Sequence, residues 1–286
     1  MFQLNDQVRR GALLALATSI ISGVSVYVAK FGQQMVPDPF VYTTARNVFV
    51  GSVLLALLLL TAATSARSVP SRRDLGGLGL IAIVGGSVPF LLFFWGLTMT
   101  SAPMASFLQK TQFLWVAALA VPLLGEAFGR WQALGLGALM VGTLLQGPVA
   151  LASFGPGEAL ILVATLLWSA EALIARSTLQ RVSPLMGATA RMGGGAVVMV
   201  GFLLATGHLS ALLALSPTQW LWVAGPGLFL LAYVLTWYHA LQRAPATVVT
   251  SILTLGAPVT VLVNAGLTTH VLPGQAALGG IAPNDN

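Results

Sequence analysis

The chain has 286 residues, 57% of them hydrophobic and only 7% charged, against about a quarter charged in an ordinary soluble domain. Water cannot solvate a surface of that composition, which excludes a soluble enzyme or binding module. The absence of cysteine excludes disulfides and thiol chemistry, and the net charge of +6 is carried in short loops rather than a stripe or tail, which excludes nucleic acid as a partner.

Apolar runs of about 20 residues, each long enough to cross roughly 30 Å of hydrocarbon, follow one another along the chain. The predicted spans are 11–30, 40–61, 76–97, 103–124, 132–149, 157–177, 185–206, 218–240, 246–268 and a tenth from Gln275. The first follows Arg9 and Arg10 and lacks a small-residue cleavage site, so it reads as an uncleaved span, not a signal peptide. Turn-rich breaks separate the runs: Pro37-Asp38-Pro39, Ser101-Ala102-Pro103, Gly155-Pro156-Gly157 and Ser216-Pro217. The tenth run offers only Ala276 to Ala282 before Pro283, so it reads as short or truncated.

The chain repeats itself. Ala17-Thr18 to Ser22 matches Ala164-Thr165 to Ser169, and Pro39 to Arg46 matches Pro184 to Arg191. Trp95 to Pro103 matches Trp237 to Pro245. With five spans in each copy, residues 1–150 and 151–286, the copies insert in opposite directions, the arrangement of secondary transporters.

Charge bias orients the bundle. Nine of the thirteen basic residues (Arg9, Arg10, Arg67, Arg72, Arg73, Arg130, Arg176, Arg181 and Arg243) fall in alternate connections. That side is cytoplasmic, with the N-terminus, in a bacterial-type inner membrane. The fold class expected is therefore an all-α polytopic membrane protein of ten transmembrane helices, built as two inverted five-helix repeats.

Leu123-Leu124-Gly125-Glu126, followed by Trp131-Gln132-Ala133-Leu134-Gly135 and Gly142, resembles the junction between the fourth and fifth spans of the drug/metabolite transporter superfamily, in its EamA branch. Arg46 resembles the family's second-span arginine, and Ala257-Pro258-Val259 its ninth-span proline. The second copy departs from the pattern, with Thr268-Thr269-His270 where Gly-Glu would stand. The resemblance covers nearly the whole chain. It implies ten spans around a central cavity and export of small metabolites, and within the branch it is most similar to the YddG-type aromatic amino-acid exporters.

Polar groups inside a bilayer need partners, so polar stripes mark packing seams or a wetted cavity. Thr18, Ser22 and Ser25 share one face of the first span, and Thr165, Trp168 and Glu171 one face of the sixth. Gln109 and Gln112 share a face of the fourth with Trp115 beside them, Tyr233 and Trp237 one of the eighth, and Thr247, Thr250 and Thr254 one of the ninth. The bland reading is that the hydroxyls bond their own helices or let helices approach closely.

Glu171 either pairs with Lys110 or an arginine, or serves a solute's amino group or a proton. Arg46 and Arg191 snorkel or cap carbonyls. Trp115 and Trp168 are the preferred apolar cavity walls, while Trp220 and Trp222 suit an interfacial belt and His239 an interface.

The substrate-binding set expected is Trp168, Glu171, Gln109, Gln112, Trp115, Ser22, Thr254, Tyr233 and Trp237. Partners are a small-molecule solute, an amino acid or related metabolite, and the lipid bilayer; no cofactor and no metal is called for. An intramembrane enzyme is disfavoured because G-x-S-x-G, H-E-x-x-H and an acidic cluster are all missing from the sequence. A channel or membrane scaffold is the alternative to a carrier.

Overall fold

The computed structural model describes residues 6–64, 70–100, 102–127, 129, 133, 137, 154–264 and 266–267. The predicted tenth span, and the predicted fifth apart from Ala133 and Gly137, lie outside the described residues. So does most of the stretch that follows Glu126.

Helices begin where the sequence places its breaks. α1 is Asp6–Met35 and α2 is Pro39–Thr64; Asp38 starts α2 by accepting the Phe40 and Val41 amides at 2.8 and 3.1 Å. α3, Arg72–Leu80, opens on a Ser71–Asp74 capping box. It runs through a π-turn, Ile81–Gly85, towards α4, Val88–Leu97. α5 is Ala102–Lys110 and α6 is Gln112–Leu124.

α7 is Pro156–Thr178 and α8 is Pro184–Thr189, capped by Ser183. A second π-turn, Ala190–Gly194, leads into α9, Gly195–Ala205. The short α10, Leu209–Leu213, precedes α11, Pro217–Arg243, which starts on a Ser216–Gln219 capping box. α12 is Ala246–Leu253 and α13 is Gly256–Asn264.

Among the described residues there is no strand. Among these residues seven helices are long and apolar enough to cross a membrane: Asp6–Met35, Pro39–Thr61, Arg72–Leu97, Phe107–Leu124, Pro156–Thr178, Pro184–Ala205 and Pro217–Arg243. A shorter apolar stretch covers Ala246–Thr260. The helices carry exposed Leu59, Leu60, Leu123, Leu204 and Leu221, an apolar surface that suits contact with lipid. The chain is a multi-pass membrane protein.

Two predicted spans are broken. The fourth divides at Thr111, whose hydroxyl turns back to the Leu108 carbonyl at 2.6 Å. The ninth divides between α12 and α13 before Gly256, where a Cβ would stand 2.9 Å from the Ser19 carbonyl of α1. Small residues fix the position of α1. A Cβ at Gly11 would meet Ala244, one at Gly23 would meet Val259, and one at Gly32 would meet the Tyr42 ring and the Trp222 carbonyl. Without a hydrophobic drive between helices in lipid, such close backbone approach is what gives the dispersion energy of packing.

α7 packs against α3, the first π-turn and α4 to α6 of the first half, and against α11 and α12 of the second. The start of α1 lies at Ala244 beside the end of α11. The end of α7 lies there too, because Arg176 donates to the Leu241 and Gln242 carbonyls at 2.8 Å each. This end is called the N-terminal face below.

Candidate functional site

Glu171 is 1% exposed and Arg191 6% exposed, each seven residues along its helix from the N-terminal face, about 10 Å deep. Arg191 Nη1 donates to Glu171 Oε2 at 3.3 Å, and the Tyr238 hydroxyl of α11 donates to Oε1 at 2.5 Å. Both carboxylate oxygens are thus engaged. A buried charge in a bilayer is tolerated only with such partners, and Glu171 takes the arginine rather than Lys110. Arg191 therefore neither snorkels nor caps a carbonyl. Gly187 makes room for the tyrosine: a Cβ there would stand 2.8 Å from the Tyr238 ring.

The two π-turns hold the pair in place. The wide turn at Ile81–Gly85 presents the Gly85 carbonyl to Trp168 Nε1 at 3.2 Å and the Gly86 carbonyl to Asn47 Nδ2 at 3.2 Å. A Cβ at Gly85 would collide with the Glu171 side chain at 2.3 Å. At Gly86 it would lie 1.9 Å from the Arg191 carbonyl, and at Gly195 2.3 Å from the Gly86 carbonyl. The turns therefore meet backbone to backbone, and π-turns of this kind concentrate at functional positions. Gly85, Gly86 and Gly195 are thus points of closest contact.

The helices that supply Glu171 and Tyr238 also carry packed aromatic rings. Trp168 packs edge-on against Phe90 at 5.2 Å and tilted against Phe93 at 5.6 Å. Tyr233 stacks on Trp237 at 6.2 Å with ring planes 9° apart. Trp237 Nε1 is buried without a hydrogen-bond partner.

The other predicted site residues lie apart from this cluster or at its margin. Ser169 on α7 donates to the Gln112 carbonyl at 3.3 Å, which brings the start of α6 against α7. Trp115, half-buried, gives its Nε1–H to Thr111 at 3.1 Å. Gln109 is exposed on α5. Ser22 lies against Gly256, two residues beyond Thr254, at the contact of α1 with α13. Most of the stripe hydroxyls bond their own helices: Thr18 to Leu14, Thr165 to Ile161, Thr250 to Ala246 and Thr254 to Ser251. His239 does the same, through Nδ1 and the Leu235 carbonyl at 2.8 Å.

Sequence reasoning missed Tyr238 and the role of Glu126. Gly125 ends α6 in the left-handed region at φ 64°, and this turns Glu126 towards α12. Its two oxygens accept the Ala246 and Thr247 amides at 2.7 and 2.8 Å, capping the first turn of α12 from 120 residues away. The Gly-Glu pair was legible as a motif, but no local pattern says which helix it caps. A cavity of about 640 Å³ between α2 and the second π-turn is lined by apolar groups such as Leu55, Val197, Gly51 and Gly193, and by none of the predicted site residues.

A solved crystal structure superposes with a TM-score of 0.71 over 96% of this chain and 89% of its own, at 16% identity, which is a likeness of fold alone. No curated protein matches the sequence. The profile of the EamA-like transporter family matches residues 9–146 and again 155–282, so the membrane bundle described above belongs to a transporter of the EamA-like family.

Proposed function

We propose that the protein is a carrier that exports small metabolites, amino acids with aromatic or other apolar side chains foremost, by alternating access at a central cavity. In this reading residues 1–150 and 151–286 are two inverted five-helix repeats completing a ten-helix bundle. The membrane is a bacterial-type inner membrane with the N-terminus cytoplasmic, so the N-terminal face is the cytoplasmic one.

The observation that carries the reading is the buried Glu171–Arg191 pair with Tyr238, set among Trp168, Phe90 and Phe93. Charged groups are retained inside spans where they meet a solute or a path for one. The aromatic rings supply broad, flat contact area for an apolar side chain, which is what favours a YddG-type substrate over a polar one. Opposed helix directions support the inverted repeat: α1 starts, and its sequence counterpart α7 ends, beside the end of α11.

Trp168, Glu171, Tyr233 and Trp237 form the core of the proposed site. Gln112, Trp115, Gln109, Ser22 and Thr254 belong to the walls that come into play as the bundle opens. The test is counterflow in proteoliposomes loaded with unlabelled amino acids. A carrier gives saturable, transient accumulation of label that is sensitive to substitution of Trp168. Linear flux would identify a channel, and no flux a scaffold.

A further inference from the structure

We infer that Arg46 is a docking point for a carboxylate group of the transported solute, an inference that rests on the carrier reading above. Arg46 sits seven residues into α2, about 10 Å below the face opposite the N-terminal one. Its guanidinium lies 5.5 Å from the centroid of the Tyr42 ring. Its Nε is buried without a hydrogen-bond partner, as are the Nε of Arg191 and the Thr43 hydroxyl one turn earlier, so what sets Arg46 apart is the want of a counterion. A guanidinium has five N–H donors, and in a span each unmet one is costly.

Among the described residues no carboxylate is free to meet it. The sequence has seven acids. Asp6 pairs with Arg9, Asp38 with His208 and Asp74 with Arg181. Glu158 takes the Thr100 hydroxyl and the Gly155 amide, Glu126 caps α12, and Glu171 serves Arg191 and Tyr238. The seventh, Asp285, lies outside the described residues.

The internal repeat sharpens the point. Arg46 and Arg191 occupy matching places, yet among the described residues only Arg191 has a counterion. The spacing that carries Ser22 onto Ser169 carries Val24 onto Glu171, so the first copy has an apolar residue where the second has its carboxylate. Symmetric scaffolding would need both partners. An arginine kept in a span without its acid is built to receive an anion from outside. One guanidinium balances one charge, and its planar fork matches a carboxylate in two parallel hydrogen bonds. A doubly charged phosphate ester would need a second cation.

The test uses the purified full-length protein and matched probes: benzoate against benzamide, and L-phenylalanine against L-phenylalaninamide. Thermal unfolding is followed over a concentration series of each. The wild type is expected to be stabilised by the carboxylates and not by the amides. Arg46→Gln should abolish the preference, and Arg46→Lys, which keeps the charge but not the fork, should weaken it by about tenfold or more. Without probe, Arg46→Gln should unfold no earlier than wild type, whereas an arginine with a structural partner would lower the midpoint.

Equal response to acid and amide in the wild type would overturn the inference. So would an Arg46→Gln protein that still prefers the acid, or an Arg46→Lys protein that prefers it as strongly as wild type. Counterflow run on the same preparations separates the two ideas. Loss of carrier behaviour with an intact, Arg46-dependent preference sinks only the carrier reading. Carrier behaviour without any dependence on Arg46 sinks only the docking point.

Discussion

Arg191 reaches Glu171 across the contact between α7 and the second π-turn, 3.3 Å from guanidinium to carboxylate, and both side chains are almost wholly enclosed. The pair is held by position rather than by helix propensity. Glu171 comes from a regular helix and Arg191 from a turn one residue wider, and Tyr238 closes the other carboxylate oxygen.

Glu171→Gln is expected to destabilise the fold by about 3–5 kcal/mol, because it leaves an enclosed guanidinium without its counterion. From sequence alone the same substitution is expected to be tolerated, with only transport reduced. The double variant Glu171→Gln with Arg191→Met should lose less than the sum of the two single changes, since it removes both charges together. Thermal unfolding of the four proteins in one detergent checks this. Additive losses would mean that the two groups are not coupled.

Glu126→Ala is expected to cost about 0.5–2 kcal/mol, the range for losing a helix N-cap, with a contribution from a negative charge at a helix start. The loss should be local. Amide exchange at Ala246 and Thr247 should rise while exchange in α7 stays as it was. Glu126→Gln, which keeps one acceptor oxygen, should fall between the two. Unchanged exchange at Ala246 and Thr247 in the alanine variant would remove Glu126 from that role.

Gly86→Ala should be among the most damaging single methyl additions in the protein. The new carbon would sit 1.9 Å from the Arg191 carbonyl, so the two π-turns must move apart. Overpacking of this sort costs about 1–3 kcal/mol or more. Gly76→Ala is the control, since nothing lies within 4 Å of its added carbon and alanine favours a helix by roughly 0.5–1 kcal/mol. Folded yield and unfolding midpoint for both variants are the readout. A Gly86→Ala protein as stable as Gly76→Ala would show that the contact is not tight.

Hydropathy carried most of the fold, because in lipid the spanning segments must be apolar and helical. The predicted spans 40–61, 157–177 and 185–206 fall on α2, α7 and the α8–α9 segment, with ends set by Asp38, Gly155 and Ser183. The breaks at Thr111 and before Gly256 left no mark in hydropathy. One is made by a threonine folding back on its own helix, the other by close approach to α1. The candidate site was half legible. A carboxylate in an apolar run flags Glu171, but the sequence holds several cations and no distances, so Arg191 could not be chosen over Lys110. The glycine pairs carried the opposite ambiguity, since a missing side chain permits both bending and close packing.

The backbone contact between the two π-turns also sets how motion passes through the bundle. With only hydrogens between Gly86 and the carbonyl of Arg191, there is no cushion of side chains to absorb a displacement, and close-packed interiors transmit strain. The turns act as meshed cogs. A shift of the α3–α4 segment is handed straight to α8 and α9, and with it to the guanidinium that Glu171 holds.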